Sequence, residues 1–299
     1  MRVAAILGLG SSTEALEPFQ KDAGVSWGMG LPASSAEADA ILIFGGDGTI
    51  HRHLAQLVKL RLPVLVVPCG SGNDFARALT LRSIQDSLAA WQKFSTGGRN
   101  VWTTDLGVIT SLDSATTRNL KPETGNSFYF CCVGGVGLDG EIARRANRLP
   151  RWLRGHGGYA LSLPSALLKF TPQSMKILAA DAKEPAVFVE RSNQPTVVVA
   201  FANTPVYGGG MKIAPRAQLD DGQLDVCVVG NVARLRLLRL FPSVYFGRHL
   251  GIPEVKYFQA ERLKIETEKP LDVYADGEYV CSTPIEVSIA PQVLTVLVP

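Results

Sequence analysis

Ala40-Ile41-Leu42-Ile43-Phe44-Gly45-Gly46-Asp47-Gly48-Thr49-Ile50 is the stretch that decides the fold. An apolar run, 40–44, stops abruptly at a glycine turn. Ile50, Leu54, Leu57 and Val58 then recur at helical spacing. The same order appears on either side. Residues 2–7 (RVAAIL) read as a buried strand ahead of a turn containing Gly8, Gly10, Ser11 and Ser12. Residues 63–67 (PVLVV) read as a third strand that runs into Pro68-Cys69-Gly70-Ser71-Gly72-Asn73-Asp74. A further helix is expected over 84–94, closed by Gly97-Gly98. Strand, glycine turn and helix in repetition predict an α/β domain with a parallel sheet over residues 1–100.

The texture changes near residue 101. Strand-like runs at 128–133, 196–201, 224–229, 263–267 and 285–289 are joined by Gly, Pro and Asp turns, which predicts an antiparallel β-rich domain over 101–290. Helical insertions are expected at about 141–147, 158–170 and 232–246. The tail 293–298 (VLTVLV) reads as one more strand, so that 291–299 returns to the first domain.

Composition narrows the function classes. The 299 residues are 46% hydrophobic and 19% charged, enough for a full core and unlike a disordered chain. A formal net charge of +3 is too small to mark a nucleic-acid binder, and none is expected as a partner. The five cysteines are odd in number and form no C-x-x-C pair, so neither a disulfide framework nor a zinc site is expected; a reduced cytoplasm fits. The N-terminus lacks the pattern of a signal peptide, and no apolar run reaches the roughly 18 residues of a membrane span. Any membrane contact is therefore expected to be peripheral. The sequence allows a homodimer without fixing the oligomeric state.

Two clusters carry chemistry. In Gly45-Gly46-Asp47-Gly48-Thr49, glycines at the carboxyl end of a strand let backbone N–H groups approach an anion, and the following helix turns its positive end to the same point. Thr49 can bond a phosphate oxygen or cap the helix. Asp47 beside such a site calls for a metal or a transferred proton to offset its charge. Gly70-Ser71-Gly72-Asn73-Asp74-Phe75-Ala76-Arg77 repeats the arrangement on the next strand, with Asn73 and Asp74 suited to holding the loop by side-chain-to-backbone bonds. Each cluster can also be read as a plain turn with a helix cap. Gly135-x-Gly137-x-x-Gly140 fits a dinucleotide fingerprint, but residues 155–175 lack the acidic partner that fingerprint requires. There is no P-loop, no protein-kinase signature and no G-x-S-x-G elbow. His51 and His53 do not share a helix face, so they read as solvated or phosphate-near side chains rather than a metal pair; His156 and His249 have no assigned part.

GGDGT followed by G-S-G-N-D-F-A-R resembles the catalytic domain of the diacylglycerol, sphingosine and ceramide kinases, and most closely the soluble bacterial lipid kinases of that superfamily. Gly134-Gly135-Val136-Gly137-Leu138-Asp139 is similar to the family's glycine-rich turn after a strand. Asn203 through Gly208-Gly209-Gly210 to Ala214-Pro215, then Asp220-Asp221-Gly222, is similar to its second-domain signature. Tyr274-Ala275-Asp276-Gly277-Glu278 is similar to its C-terminal acidic motif. One segment departs: the first turn is Gly8-Leu9-Gly10-Ser11-Ser12, where the family has an Asn-Pro and Ser-Gly type turn.

The resemblance implies an N-terminal nucleotide-binding α/β domain like those of NAD kinase and phosphofructokinase, a C-terminal β-sandwich, and an active site between them. It implies an ATP-dependent lipid kinase with a diacylglycerol-like acceptor at a membrane surface. ATP phosphates would meet Gly45, Gly46, Gly48, Thr49, Gly70, Ser71, Gly72 and Asn73, with backbone groups of Gly10, Ser11 and Ser12 nearby. Mg²⁺ would be held by Asp221 with carbonyls near Gln218 and Gln223, in a structural role. Glu278 would be the general base, with Asp276 and Asp47 also catalytic. Asp276-Gly277 and Asp220-Asp221-Gly222 read equally as hairpin turns. An NAD kinase, which shares GGDGT, and a non-catalytic nucleotide or lipid sensor are the competing readings. Two basic stretches with interleaved apolar residues suit an anionic membrane surface or ordinary packing: Arg144, Arg145, Arg148, Arg151 and Arg154, and Arg234, Arg236, Arg239 and Arg248.

Overall fold

A computed structural model describes residues 1–21, 24–113, 125–146, 148–149, 158–181, 184 and 186–299. The chain opens with β1 (Arg2–Leu7), β2 (Ser26–Met29) and β3 (Ala40–Gly45), and α1 (Asp47–Leu60) leaves the glycine turn directly. Next come β4 (Val64–Pro68), α2 (Asp74–Ala78) and α3 (Ile84–Ser95). The four strands lie in the order β2-β1-β3-β4, all parallel. Every residue of β3 is buried, as expected where a parallel sheet is covered on both faces. Phe19 meets Phe44 of β3 edge-on with centroids 5.1 Å apart, and Trp91 of α3 stacks near Trp27 of β2 at 5.8 Å. Ser83 and Asp86 start α3 with a reciprocal capping box. β2, short and edged with exposed residues, was not expected from the sequence; it has no apolar alternation to betray it.

The second half contains β5 (Val101–Ser111), β6 (Ser127–Phe130), β7 (Val133–Gly137), α4 (Leu138–Ala146), α5 (Gly158–Lys169), β8 (Gln173–Ala180), β9 (Val189–Ala202), β10 (Leu224–Gly230), α6 (Arg234–Leu240), β11 (Val255–Ala260), β12 (Arg262–Thr267), β13 (Asp272–Ala275), β14 (Glu278–Ser282) and β15 (Ile285–Leu297). All pairings among these strands are antiparallel. Their inner faces, including Ile109, Phe130, Val199, Phe201, Val226, Leu263 and Val287, form a second core separate from that of the parallel sheet. Leu138 and Ile142 of α4 meet Leu163 and Leu167 of α5 in a smaller third one.

The expected strands 285–289 and 293–298 are one strand, β15. Its first part pairs with β5 through Ile285–Ala290; after a register shift Leu294–Leu297 continue along β5, and Val296 also lies beside Val64 of β4, in parallel. The shift is absorbed where Gln292 adopts φ 51° and gives its N–H to Asp105 Oδ1 at 2.7 Å. β15 and β5 thus join the parallel sheet to the sandwich.

Two further expectations are corrected. The run 128–133 is broken at Cys131-Cys132, whose N–H groups bond a carboxylate, Asp276, instead of a neighbouring strand. Gly134 to Gly137 are not a turn but part of β7, and the helix follows without a loop. Glycine is required there because the Phe201 ring lies where a Cβ of Gly134 would stand, 2.1 Å from its nearest carbon. Arg151, Trp152, Leu153, Arg154 and His156 lie outside the described residues. Among the described residues no helix is long and apolar enough to cross a membrane.

Candidate active site

The two glycine loops after β3 and β4 touch backbone to backbone. A Cβ on Gly70 would stand 2.3 Å from Gly46 Cα, and one on Gly46 would stand 2.8 Å from Gly70 Cα. Asn73 sits in the left-handed region (φ 57°) and brackets Gly70, accepting its N–H at 2.9 Å and donating to its carbonyl at 2.8 Å. Asp47 then crosses between the loops. Its carboxylate accepts the N–H of Asp74 and of Phe75, both at 3.0 Å, and so caps α2. Burial, then the negative charge of Asp74, pushes its carboxyl up to about 6. Asp74 is itself raised by burial, against the pull of Arg77 at 2.6 Å, and accepts the N–H of Gly209 at 3.3 Å.

From the other side, the β13–β14 hairpin leans over these loops. Asp276 (φ 51°) and Gly277 (φ 83°) form its two-residue turn, the left-handed pair that such hairpins require. The Asp276 side chain is fully enclosed. Oδ1 accepts the N–H of Cys132 at 2.8 Å; Oδ2 accepts that of Cys131 at 2.9 Å and meets His51 Nδ1 at 3.1 Å. Glu278 is the opposite case. It is exposed, and among the described residues its carboxylate has no hydrogen-bond or ion-pair partner. Its Oε1 lies 2.6 Å from the point where a Cβ of Gly48 would be. The free carboxylate therefore stands directly over the first turn of α1.

These parts enclose a cleft of about 600 Å³ lined by Gly10, Gly46, Asp47, Gly48, Thr49, Arg52, Gly70, Ser71, Gly72, Asp74, Asp139, Tyr207, Gly209, Asp276 and Glu278, among others. Of the residues named from the sequence, Gly45, Ser11, Ser12 and Asn73 are not in the lining. Gly45 is buried in β3 under Thr49, and the Ser11 hydroxyl turns back to Gly8 O at 2.7 Å. Sequence reading also missed contributors. Arg52 is the sole Lys or Arg among the described lining residues, against the five carboxylates of Asp47, Asp74, Asp139, Asp276 and Glu278. Its Nε donates to Gly48 O at 2.9 Å, a reach that i, i+4 spacing on a helix provides. Tyr207 donates to Asp139 at 2.6 Å.

Asp221 lies outside the cleft lining, with Gln218 and Gln223 on the same turn. Its carboxyl is raised by burial and further by the charges of Asp225 and Asp105. Among the described residues none of these three carboxylates forms an ion pair within 4.0 Å. Asp105 accepts the N–H of Gly222 at 2.7 Å and holds this turn. Tyr257 donates to Asp225 at 2.6 Å and Gln259 to Asp221 at 3.2 Å, and the remaining carboxylate oxygens of this acidic turn fit a hard divalent cation such as Mg²⁺.

Comparison with known proteins agrees with this layout. Residues 29–106 match the diacylglycerol kinase catalytic domain model, and residues 133–298 match the YegS C-terminal NAD kinase beta sandwich-like domain. A diacylglycerol kinase of Mycobacterium tuberculosis is 31% identical over 261 residues, covering 87% of this chain and 77% of that protein. A crystal structure of a diacylglycerol kinase from Bacillus anthracis superposes with a TM-score of 0.67 at 18% identity, covering 100% of this chain and 97% of that one. An NAD kinase from Archaeoglobus fulgidus in complex with ATP gives a TM-score of 0.52 at 16% identity, over 99% and 93%. The two structures share the fold.

Proposed function

This chain belongs to the lipid kinase family that joins a diacylglycerol kinase catalytic domain to a YegS-type β-sandwich, and from that premise we propose that it transfers the γ-phosphate of ATP to a lipid hydroxyl, with diacylglycerol as the first acceptor to test. One observation carries the reading: the carboxylate of Glu278, without a partner among the described residues, stands over the glycine loop and the amino end of α1.

Phosphoryl transfer asks for placement and charge neutralisation. The N–H groups of Gly46, Gly48 and Gly72 with the positive end of α1 would cradle the phosphates, with Gly70 held in place by Asn73, and Arg52 would meet the transferring group. Glu278 would accept the acceptor hydroxyl's proton as the oxygen attacks phosphorus. Asp276 has no such freedom, since backbone N–H groups and His51 already occupy its oxygens; it sets the turn that aims Glu278. Asp47 is best understood as the brace that holds the two glycine loops in register. Mg²⁺ bound by Asp221 and the carbonyls of Gln218 and Gln223 would neutralise the acidic turn there, while Mg²⁺ arriving with ATP would offset charge on the phosphates. Peripheral membrane contact is supported by α6 and the turn after it, where Leu235 (83% exposed) and Phe246 (70%) stand beside Arg239 and Arg248.

The test is Mg²⁺-dependent transfer of labelled γ-phosphate from ATP to diacylglycerol, monoacylglycerol, sphingosine, ceramide and phosphatidylglycerol in mixed micelles, with NAD as a soluble control. Label in a lipid supports the proposal and names the acceptor. Label in NAD alone, or none anywhere despite ATP binding, overturns it.

A further inference from the structure

Consecutive side chains on a strand point to opposite faces. Cys131 and Cys132 do not, because the chain bends there to present both N–H groups to Asp276. Their sulfurs are 3.9 Å apart, and Cys131 Sγ is 3.4 Å from Asp276 Oδ2. These three ligand atoms all lie within 4.8 Å of one another. A tetrahedral zinc with Zn–S near 2.3 Å and Zn–O near 2.0 Å has S···S and S···O edges of about 3.8 and 3.5 Å. The two edges that meet at Cys131 match these values.

We propose that Cys131, Cys132 and Asp276 form a binding site for one thiophilic divalent cation of the zinc or cadmium kind. Binding would require Asp276 Oδ2 to give up its His51 contact, while the N–H groups of Cys131 and Cys132 go on holding the carboxylate in place. Cys132 and Asp276 border the cleft, from which a water would complete the coordination. Binding replaces two S–H bonds by two metal–sulfur bonds and releases both protons to solvent. Two cysteine ligands favour a soft, thiophilic ion over a hard one such as Mg²⁺. Cysteine spacing alone argued against a zinc site; the bend supplies what no C-x-x-C motif announces. The site stands independently of the kinase reading. An ion there would tie β7 to the turn that carries Glu278.

The experiment titrates the reduced, metal-free full chain with Cd²⁺ alone, without nucleotide or lipid, and reads thiolate-to-cadmium ultraviolet absorbance. The expected result is saturation at one equivalent, with affinity at least tenfold weaker in Cys131→Ser and in Cys132→Ser and unchanged in Cys227→Ser. No saturable band, or a band that survives both serine variants, overturns the proposal. Should the serine variants fail to fold, phenylarsine oxide on the wild-type chain decides. It condenses with two neighbouring thiols, forming two As–S bonds and releasing water. A mass adduct on the peptide holding 131–132 supports the site; an adduct elsewhere, or none, overturns it.

Discussion

Replacing Asp47 by Asn should stabilise the folded protein at neutral pH while lowering its activity. Burial, and next the charge of Asp74, lifts the Asp47 carboxyl from 3.8 to about 6. The folded pKa exceeds the unfolded one, so between these values the folded state binds more protons, and stability falls as pH rises through that window. Above it the full cost of the ionised group is present. The rise of about two units corresponds to about 3 kcal/mol, which partial exposure to the open cleft reduces to about 2. Asparagine removes that charge but turns an N–H toward one of the two backbone donors of Asp74 and Phe75, costing about 1 kcal/mol. The net gain is about 1 kcal/mol, or about 2 °C in Tm for a chain of this size. Thermal melts of both proteins at pH 7.5 and pH 4 measure it. The Asn variant should melt higher at pH 7.5, and the difference should disappear or reverse at pH 4, where wild-type Asp47 is largely protonated. A variant that melts lower at pH 7.5, or a difference that ignores pH, refutes the reasoning. Activity should fall by an order of magnitude or more, since the capped α2 then no longer pins the second glycine loop.

Arg52→Gln should raise KM for ATP and lower kcat by about 10- to 100-fold, because it removes the one Lys or Arg among the described residues that line an otherwise acidic cleft; Arg52→Lys should recover part of the loss in steady-state kinetics. Gly70→Ala places a methyl 2.3 Å from Gly46 Cα, and as neither backbone can retreat, nucleotide binding measured by calorimetry should weaken at least tenfold. Asp276→Asn should lower stability by about 1–3 kcal/mol in urea unfolding, because the amide turns an N–H toward one of the Cys131 and Cys132 donors that the carboxylate accepts; Glu278→Gln should be within about 0.5 kcal/mol of wild type.

The parallel sheet and both glycine loops were legible because strand, turn and helix follow one another within a few residues, and each step has its own local signal. The site was legible only in part. Asp276 and Glu278 share one hairpin, and no spacing tells which carboxylate folds inward; the left-handed turn at Asp276 decides it by delivering that side chain to the N–H groups of Cys131 and Cys132, 145 and 144 residues away. Arg52 and His51 look like ordinary polar residues on a helix until the hairpin is placed above them. Asp105 gave no signal at all, since the N–H groups it accepts come from Gly222 and Gln292. Long-range pairing, not residue type, assigns these roles.

The most direct test of the account compares wild type with Glu278→Gln in γ-phosphate transfer to diacylglycerol at saturating Mg²⁺ and ATP, with ATP affinity measured in parallel. The account predicts a loss in kcat of about 10²- to 10⁴-fold with ATP affinity unchanged, as removal of a general base requires. A glutamine variant that turns over at the wild-type rate contradicts it.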